Sequence, residues 1–259
     1  MTTQNNTYTL LDNVTHKDLR VNTQYRAEFG DNVASVPVFA TELANISRHY
    51  PVLFYPEEAS GSFVMTALLG LEKGENLFLN ESLPAGYERI RAQAGWAADY
   101  VPAMIARGPF AIGLHDNGTQ VMVHVNESHP KLSTKEGKPV FLPKGGNSDY
   151  LNRIASILNV IHSGVPVTKD MIKAWQALEL LEPLNVNIDL VDGTKLTLGG
   201  HYAVSEEKVA GLGPDELHSL HQDGFLQGLF LAMTSLSNIQ TLVDLKNARK
   251  QQELKAYAG

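Results

Sequence analysis

Cysteine is absent from all 259 residues, which removes thiol nucleophiles, zinc–thiolate sites, iron–sulfur clusters and disulfide frameworks together. Cysteine usage therefore says nothing about redox compartment. A dense Lys/Arg stripe is also missing and the net charge is −7, so a nucleic-acid backbone, which needs clustered cations, is not expected as a partner. The opening residues "MTTQNNTYTLLDNVTHKD" carry no basic start followed by an apolar core. Without such a secretory signal the expected compartment is the cytoplasm, with non-classical export left open. Long apolar runs are scarce. Gly224 to Val243 has no charge, but Gln227, Thr234, Asn238 and Gln240 interrupt it, and Phe225, Leu229, Met233, Leu236 and Val243 follow a helical stripe. That pattern predicts a buried core helix, with a membrane-surface helix as the alternative and no transmembrane span.

The strong catalytic signatures are missing too. There is no Gly-x-Ser-x-Gly elbow, no phosphate-binding Gly-Lys-[Ser/Thr] loop, no Gly-x-Gly-x-x-Gly and no His-Glu-x-x-His. "KGGN" at 144–147 lacks the hydroxyl that would hold magnesium, and "GLGPDE" has no strand before it. No cofactor is expected on these grounds.

What is present is a chain long enough to bury a core without staples. Its first 145 residues are short apolar runs punctuated by Gly, Pro, Asn and Asp: "SVPVFA", "YPVLFY", "SFVMTALLGL", "ENLFLN", "FAIGLH", "TQVMVHV" and "KPVFLP" read as strands. "TELANISRHY" and "YERIRAQAGWAADYVPAMIA" read as helical or irregular, and Asn117-Gly118 is a hairpin signal. From Ser148 the period becomes helical. Ser148 caps a helix carrying Leu151, Ile154, Leu158 and Ile161, and Gly164 sits where it stops; Thr168 caps a second, which Pro183 ends. A hairpin over 185–203 turns at Asp192-Gly193, "SEEKVAGL" and "PDELHSLHQDG" supply further helices, and 249–259 is a polar tail expected to fray.

Three groups of residues are candidates for chemistry. In "HKDLRV", an extended backbone puts His16, Asp18 and Arg20 on one face, as a structural ion network, a ligand contact or a proton-transfer pair. His115, His124 and His129 flank the Asn117-Gly118 turn, where facing strands converge imidazoles in iron oxygenases; His124-Val-Asn126, however, has an amide where such iron sites need a carboxylate. His218 and His221 share a helix face at i and i+3 and suit zinc if Glu216 or His201 adds a third ligand. Iron or zinc belongs only to these alternative readings.

The order of segments resembles the SapC family of bacterial proteins. The resemblance is carried by "LDNVTHKDLRV", "GDNVASVPVFATELANISRHYPVLF", "ENLFLN", "YVPAMIARGPFAIGL", "GGNSDYLNRIASIL", "LELLEPLNVNIDLVDGTKLTLGGHYAVSEEKVAGL" and "DELHSLHQDGFLQGLFLAMTSLSNIQTL". In "VMVHVNESHPKLS", His124 and Asn126 stand where family members more often carry a Cys-Ile-Asp type of sequence. The resemblance implies a non-enzymatic accessory or binding protein of a surface-layer, secretion or nutrient-uptake system, with a protein partner or a small-molecule or peptide ligand. It brings no catalytic residues. A membrane peptide-transport permease shares the family's name but needs several apolar spans, which this chain lacks. The alternative is an enzyme, either metal-dependent and oxygenase-like or a modifier of peptides or sugars. The expected architecture is α+β in a single domain over 1–259, with a strand-rich, mostly antiparallel part at 1–145 and a helical part at 146–248 that holds the hairpin.

Overall fold

The computed structural model describes residues 8–59, 61–82, 94–115 and 120–258, with only the backbone of 114, 115, 120, 121 and 255–258. Antiparallel pairing accounts for every sheet among them, and the architecture is α+β. In chain order come β1 (Tyr8–Leu10), β2 (Arg20–Val21), β3 (Ser35–Pro37), α1 (Leu43–Ile46), β4 (Val52–Glu57), β5 (Ser62–Leu68), α2 (Ala103–Ala106), β6 (Phe110–His115) and β7 (Gln120–Asn126). Then follow β8 (Leu132–Ser133), β9 (Lys138–Pro139), α3 (Asp149–Ala177), β10 (Leu181–Asp189), β11 (Lys195–Val204), α4 (Glu206–Ala210), α5 (Pro214–Gln222), α6 (Leu226–Ser235) and α7 (Asn238–Ala258). The five-stranded sheet runs β10-β11-β4-β5-β3, and two three-stranded sheets run β1-β7-β6 and β8-β2-β9.

Two apolar clusters share α3. The larger gathers Tyr50, Phe54, Trp96, Trp175, Leu229 and Leu245. The smaller gathers Val21, Phe110, Val125, Val140, Leu151, Ile154 and Leu158. The N-terminal turns of α3 serve the smaller cluster, and its C-terminal turns, through Met171, Ile172 and Trp175, serve the larger. One helix of 29 residues thus replaces the expected pair with a break at Gly164. Its start is the expected one, since the Ser148 hydroxyl accepts from Leu151 N at 3.2 Å.

The expected strand faces hold for β3 to β7 and for the β10–β11 hairpin, which is longer than 185–203. Asn117-Gly118 lies outside the described residues, but β6 and β7 pair in register from Phe110↔Val125 to His115↔Gln120 on either side of it. "ENLFLN" makes no strand; only Leu79 bridges Trp96, and the run is apolar because Leu77, Phe78 and Leu79 are all buried. The 224–243 window is two helices, α6 and α7, and no described helix is long and apolar enough to cross a membrane. α7 continues through the expected polar tail to Ala258.

A buried polar network fixes α2, which lies at the centre of the cavities described below. Glu42 is 1% exposed; its Oε2 accepts from Tyr100 Oη at 2.7 Å and from Ala103 N at 2.9 Å, so the carboxylate satisfies an N–H that the first turn of α2 leaves free. Burial pushes the Glu42 carboxyl up, opposed by those bonds. Trp96 Nε1 donates to Tyr50 Oη at 2.7 Å, and Tyr50 in turn donates to the Tyr100 carbonyl.

Candidate ligand-binding site

"HKDLRV" is not a strand face. Residues 13–18 are turns, because Asp12 Oδ1 accepts from Val14 N at 2.8 Å and Thr15 N at 2.7 Å and coils the chain locally. His16 is buried: its Nδ1 accepts from Asp12 N at 3.2 Å and its Nε2 lies 3.4 Å from Glu127 Oε1. Asp18 is exposed and pairs with neither His16 nor Arg20. Arg20 instead sends Nη1 to the Gly137 carbonyl at 2.9 Å. Gly137 has φ +102°, and a Cβ there would strike the Val21 carbonyl, so only glycine allows this close approach.

That contact builds the wall of a cavity. β2 is the middle strand of its small sheet, pairing Val21 with Leu132 on one side and with Lys138 on the other, and Asn22 N donates to Lys131 O at 2.8 Å. Ser148 Oγ donates to Pro139 O at 2.6 Å and so ties the start of α3 to β9. Between this sheet, the first turns of α3 and α2 lies a cavity of about 400 Å³. Tyr25, Tyr150, Val101, Ile105, Ile154 and Ile157 give it ring and aliphatic walls. Its charged lining, among the described residues, is Lys131, Lys138 and Arg153 against Asp149.

Lys131 is the buried member of this set, 4% exposed, with Nζ 3.0 Å from Asp31 Oδ1 and 2.9 Å from Oδ2 and 4.6 Å from the Tyr25 ring centroid. Burial pushes the Asp31 carboxyl up and the Lys131 ammonium down, each opposed by the partner charge. Tyr25, packed edge-on against Trp96 at 5.5 Å, has its hydroxyl pushed up to about 12 by burial, so it remains a neutral donor at physiological pH. Lys138 and Arg153 stand exposed at the rim. Asp31 faces a second cavity of about 460 Å³ with His129 and Arg107, so the ion pair separates two spaces.

The histidine sets are not brought together. The His124 ring covers Gly113, where a Cβ would collide with it, and its Nδ1 lies 3.4 Å from the Met122 carbonyl. His129 Nδ1 accepts from Lys131 N at 3.1 Å. The side chain of His115 lies outside the described residues. His218 and His221 are exposed on α5, whose start takes up Glu216 through Gly213 N at 2.7 Å, while His201 sits on β11 with its ring 5.7 Å from that of Tyr55. Among the described residues no three His, Asp or Glu side chains are placed to hold one metal ion.

Sequence reasoning missed Asp31, Lys131, Arg153 and Tyr25. Asp31 follows a glycine and reads as a turn residue, and its partner is 100 positions away. The only available signal was the run of segments shared with a family.

The fold and the cavity define an α+β protein with a cation-lined, ring-walled pocket. The model of the SapC family matches residues 11–242, and the chain belongs to that family. No curated protein and no solved structure matches it.

Proposed function

We propose that this chain is a non-enzymatic binding protein, accessory to a bacterial surface-layer, secretion or nutrient-uptake system, and that its ligand is a small anion built on a planar ring. The observation that carries the ligand is the pocket beside α2. In a protein of net charge −7, three cations and one carboxylate line it, with two tyrosines as walls. A volume of about 400 Å³ suits a compact organic molecule. With Lys131 taken up by Asp31, Lys138 and Arg153 at the rim favour a carboxylate or phosphate, and the rings favour a flat body. The envelope setting rests on what the resemblance to the SapC family implies.

Calorimetric titration with benzoate, phenyl phosphate and benzamide tests the pocket. Benzoate and phenyl phosphate are expected to bind, and benzamide, of the same shape but neutral, to bind at least about tenfold more weakly, since a charge-assisted hydrogen bond contributes roughly 1.5–3 kcal/mol. Arg153→Gln should weaken the two anions and leave benzamide unchanged. Equal binding of benzamide and benzoate, or no binding of any probe, overturns the reading. The envelope setting is tested separately by comparing surface-protein content and uptake rate in cells with and without the chain; no change in either removes it.

A further inference from the structure

A groove on the opposite side of α2 differs in character from this pocket and shares no described residue with it. It measures about 480 Å³, and Met104, Ile112, Leu158, Ile161 and Val165 give it an aliphatic wall. Among its described lining residues there is no carboxylate, and Arg107 is the single permanent charge. Arg107 also lines the cavity that holds His129 and Asp31, so its guanidinium stands where the apolar groove meets a polar space.

The guanidinium is held from one side. Its Nη1 donates to the Phe110 carbonyl at 2.6 Å and to Tyr8 Oη at 3.4 Å. Nε is covered by protein atoms and has no partner, so no ligand oxygen reaches it. Among the described residues Nη2 makes no hydrogen bond, and its N–H donors are the ones left for a charge-assisted bond to an anion. Tyr8 Oη lies against the guanidinium at 3.4 Å, and His129, in the adjoining cavity, has its pKa lowered to about 4 by burial and then by Lys131 and Arg107, so it adds no competing charge at neutral pH.

We infer that the groove binds a straight-chain aliphatic carboxylate, with the head group on Nη2 of Arg107 and the chain along the wall from Met104 to Val165. The charge complementarity selects an anion, and the aliphatic side chains of Met104, Ile112, Leu158, Ile161 and Val165 select a hydrocarbon chain over a second polar moiety. Of the described lining residues only Tyr8, Arg107 and the exposed His162 carry polar side-chain groups. This inference stands apart from the benzoate-sized pocket, and either can fail without the other.

The experiment is a titration of the whole protein with hexanoate, octanoate and octan-1-ol, read by calorimetry below their micelle concentrations. Octanoate is expected to bind more tightly than hexanoate by about fourfold for each added methylene, the ratio that follows from burying about 0.8 kcal/mol of apolar group. Octan-1-ol is expected to bind at least about tenfold more weakly than octanoate, because it cannot replace the charge-assisted pair. Arg107→Gln, which removes the charge, should weaken octanoate about tenfold. Because that substitution also removes the bonds to Phe110 and Tyr8, Val165→Asp serves beside it: Val165 is 52% exposed, so the fold tolerates the change while the new carboxylate repels the ligand at the rim. Equal affinity for octan-1-ol and octanoate, no chain-length dependence, or full octanoate affinity in a folded Val165→Asp protein overturns the inference. Capture of the chain by neutral phosphatidylcholine vesicles without octanoate binding also overturns it, and assigns the groove to a lipid surface instead.

Discussion

His129 would add a third cation beside Arg107 and Lys131 if it took up a proton, and burial removes the water that would screen them. Desolvation, Lys131 and Arg107 together lower its pKa from 6.5 to about 4. The unfolded chain therefore binds a proton at a higher pH than the folded one. Stability is full above pH 6.5 and is lost as the pH falls from 6.5 to about 4. For a side chain still partly open to solvent the loss is about 1–2 kcal/mol after allowance for screening. His49 and His201, also lowered by burial, contribute with the same sign, so the informative quantity is a difference. His129→Asn keeps an acceptor for Lys131 N and should flatten the urea-midpoint profile between pH 4 and 6.5 relative to the native chain. An unchanged profile would mean that His129 is charged in the folded protein. At this scale little was legible in the sequence. His16 and Arg20 read as one strand face, whereas His16 lies in the turns at 13–18 beside Asp12 and Glu127, and Arg20 bonds Gly137 from β2. Asp31 and Lys131 gave no signal because their meeting depends on three separate segments.

Elements were more legible than residues, and the exceptions share a cause. Ser148 marks the start of α3 through a side-chain bond that forms within one turn, and Asp192-Gly193 marks the β10–β11 turn through backbone geometry; both are local. Gly164 reads as a helix end, yet α3 runs through it and through Pro166. Pro166 removes the N–H that the His162 carbonyl would accept, a cost of about 3 kcal/mol in a buried helix. Here both residues are exposed, on the solvent side of the helix, where the cost is smaller than in a buried one. Gly164 is needed for contact rather than for a stop. The segment 39–41 crosses α3 there, with Thr41 Oγ1 donating to Val160 O at 2.8 Å and Ala40 N donating to Thr168 Oγ1 at 2.8 Å. A Cβ on Gly164 would lie 2.5 Å from Thr41 Oγ1 and 2.6 Å from Phe39 Cβ. Gly164→Ala sets a helix-propensity gain of about 1 kcal/mol against an overpacking cost of about 1–3 kcal/mol. The clash should win, because Phe39 Cβ is bonded to the backbone and cannot swing away. A lower thermal midpoint for Gly164→Ala is the expected result; a higher one would mean that the crossing relaxes freely.

Across the whole molecule, the C-terminal helix closes the larger apolar cluster and is fastened by charge. Lys246, 7% exposed, reaches Glu72 at 2.5 Å and Glu75 at 2.6 Å from the segment after β5. Arg249 Nη2 donates to Asn76 O at 3.0 Å, Lys250 lies 3.3 Å from Asp192 at the hairpin turn, and Asn247 Oδ1 accepts from Val191 N at 2.9 Å. One face of α7 thus joins β5, the β10–β11 turn and the helical layer, which are far apart in sequence. These contacts lie beyond residue 242, where the family match ends, and they include residues that composition alone assigned to a polar tail. The two carboxylates facing Lys246 differ in exposure, 51% for Glu72 and 12% for Glu75, so the pair with Glu75 carries most of the effect. Removing one partner of a buried pair costs about 3–5 kcal/mol, and the solvent at Glu72 reduces the expectation for Lys246→Met to about 2 kcal/mol. Ending the chain after Leu245 removes Lys246, Asn247, Arg249 and Lys250 together and should cost more than Lys246→Met alone. Ending it after Lys250 removes, among the described side chains, no ion-paired residue except Glu253, whose contact with Lys250 is at 4.0 Å, and should change stability by less than about 0.5 kcal/mol. Urea denaturation separates these outcomes through the midpoint at constant slope. Equal stability for chains ending at Leu245 and at Lys250 would show that apolar burial by Leu242 and Leu245 holds α7 in place without the charged clamp.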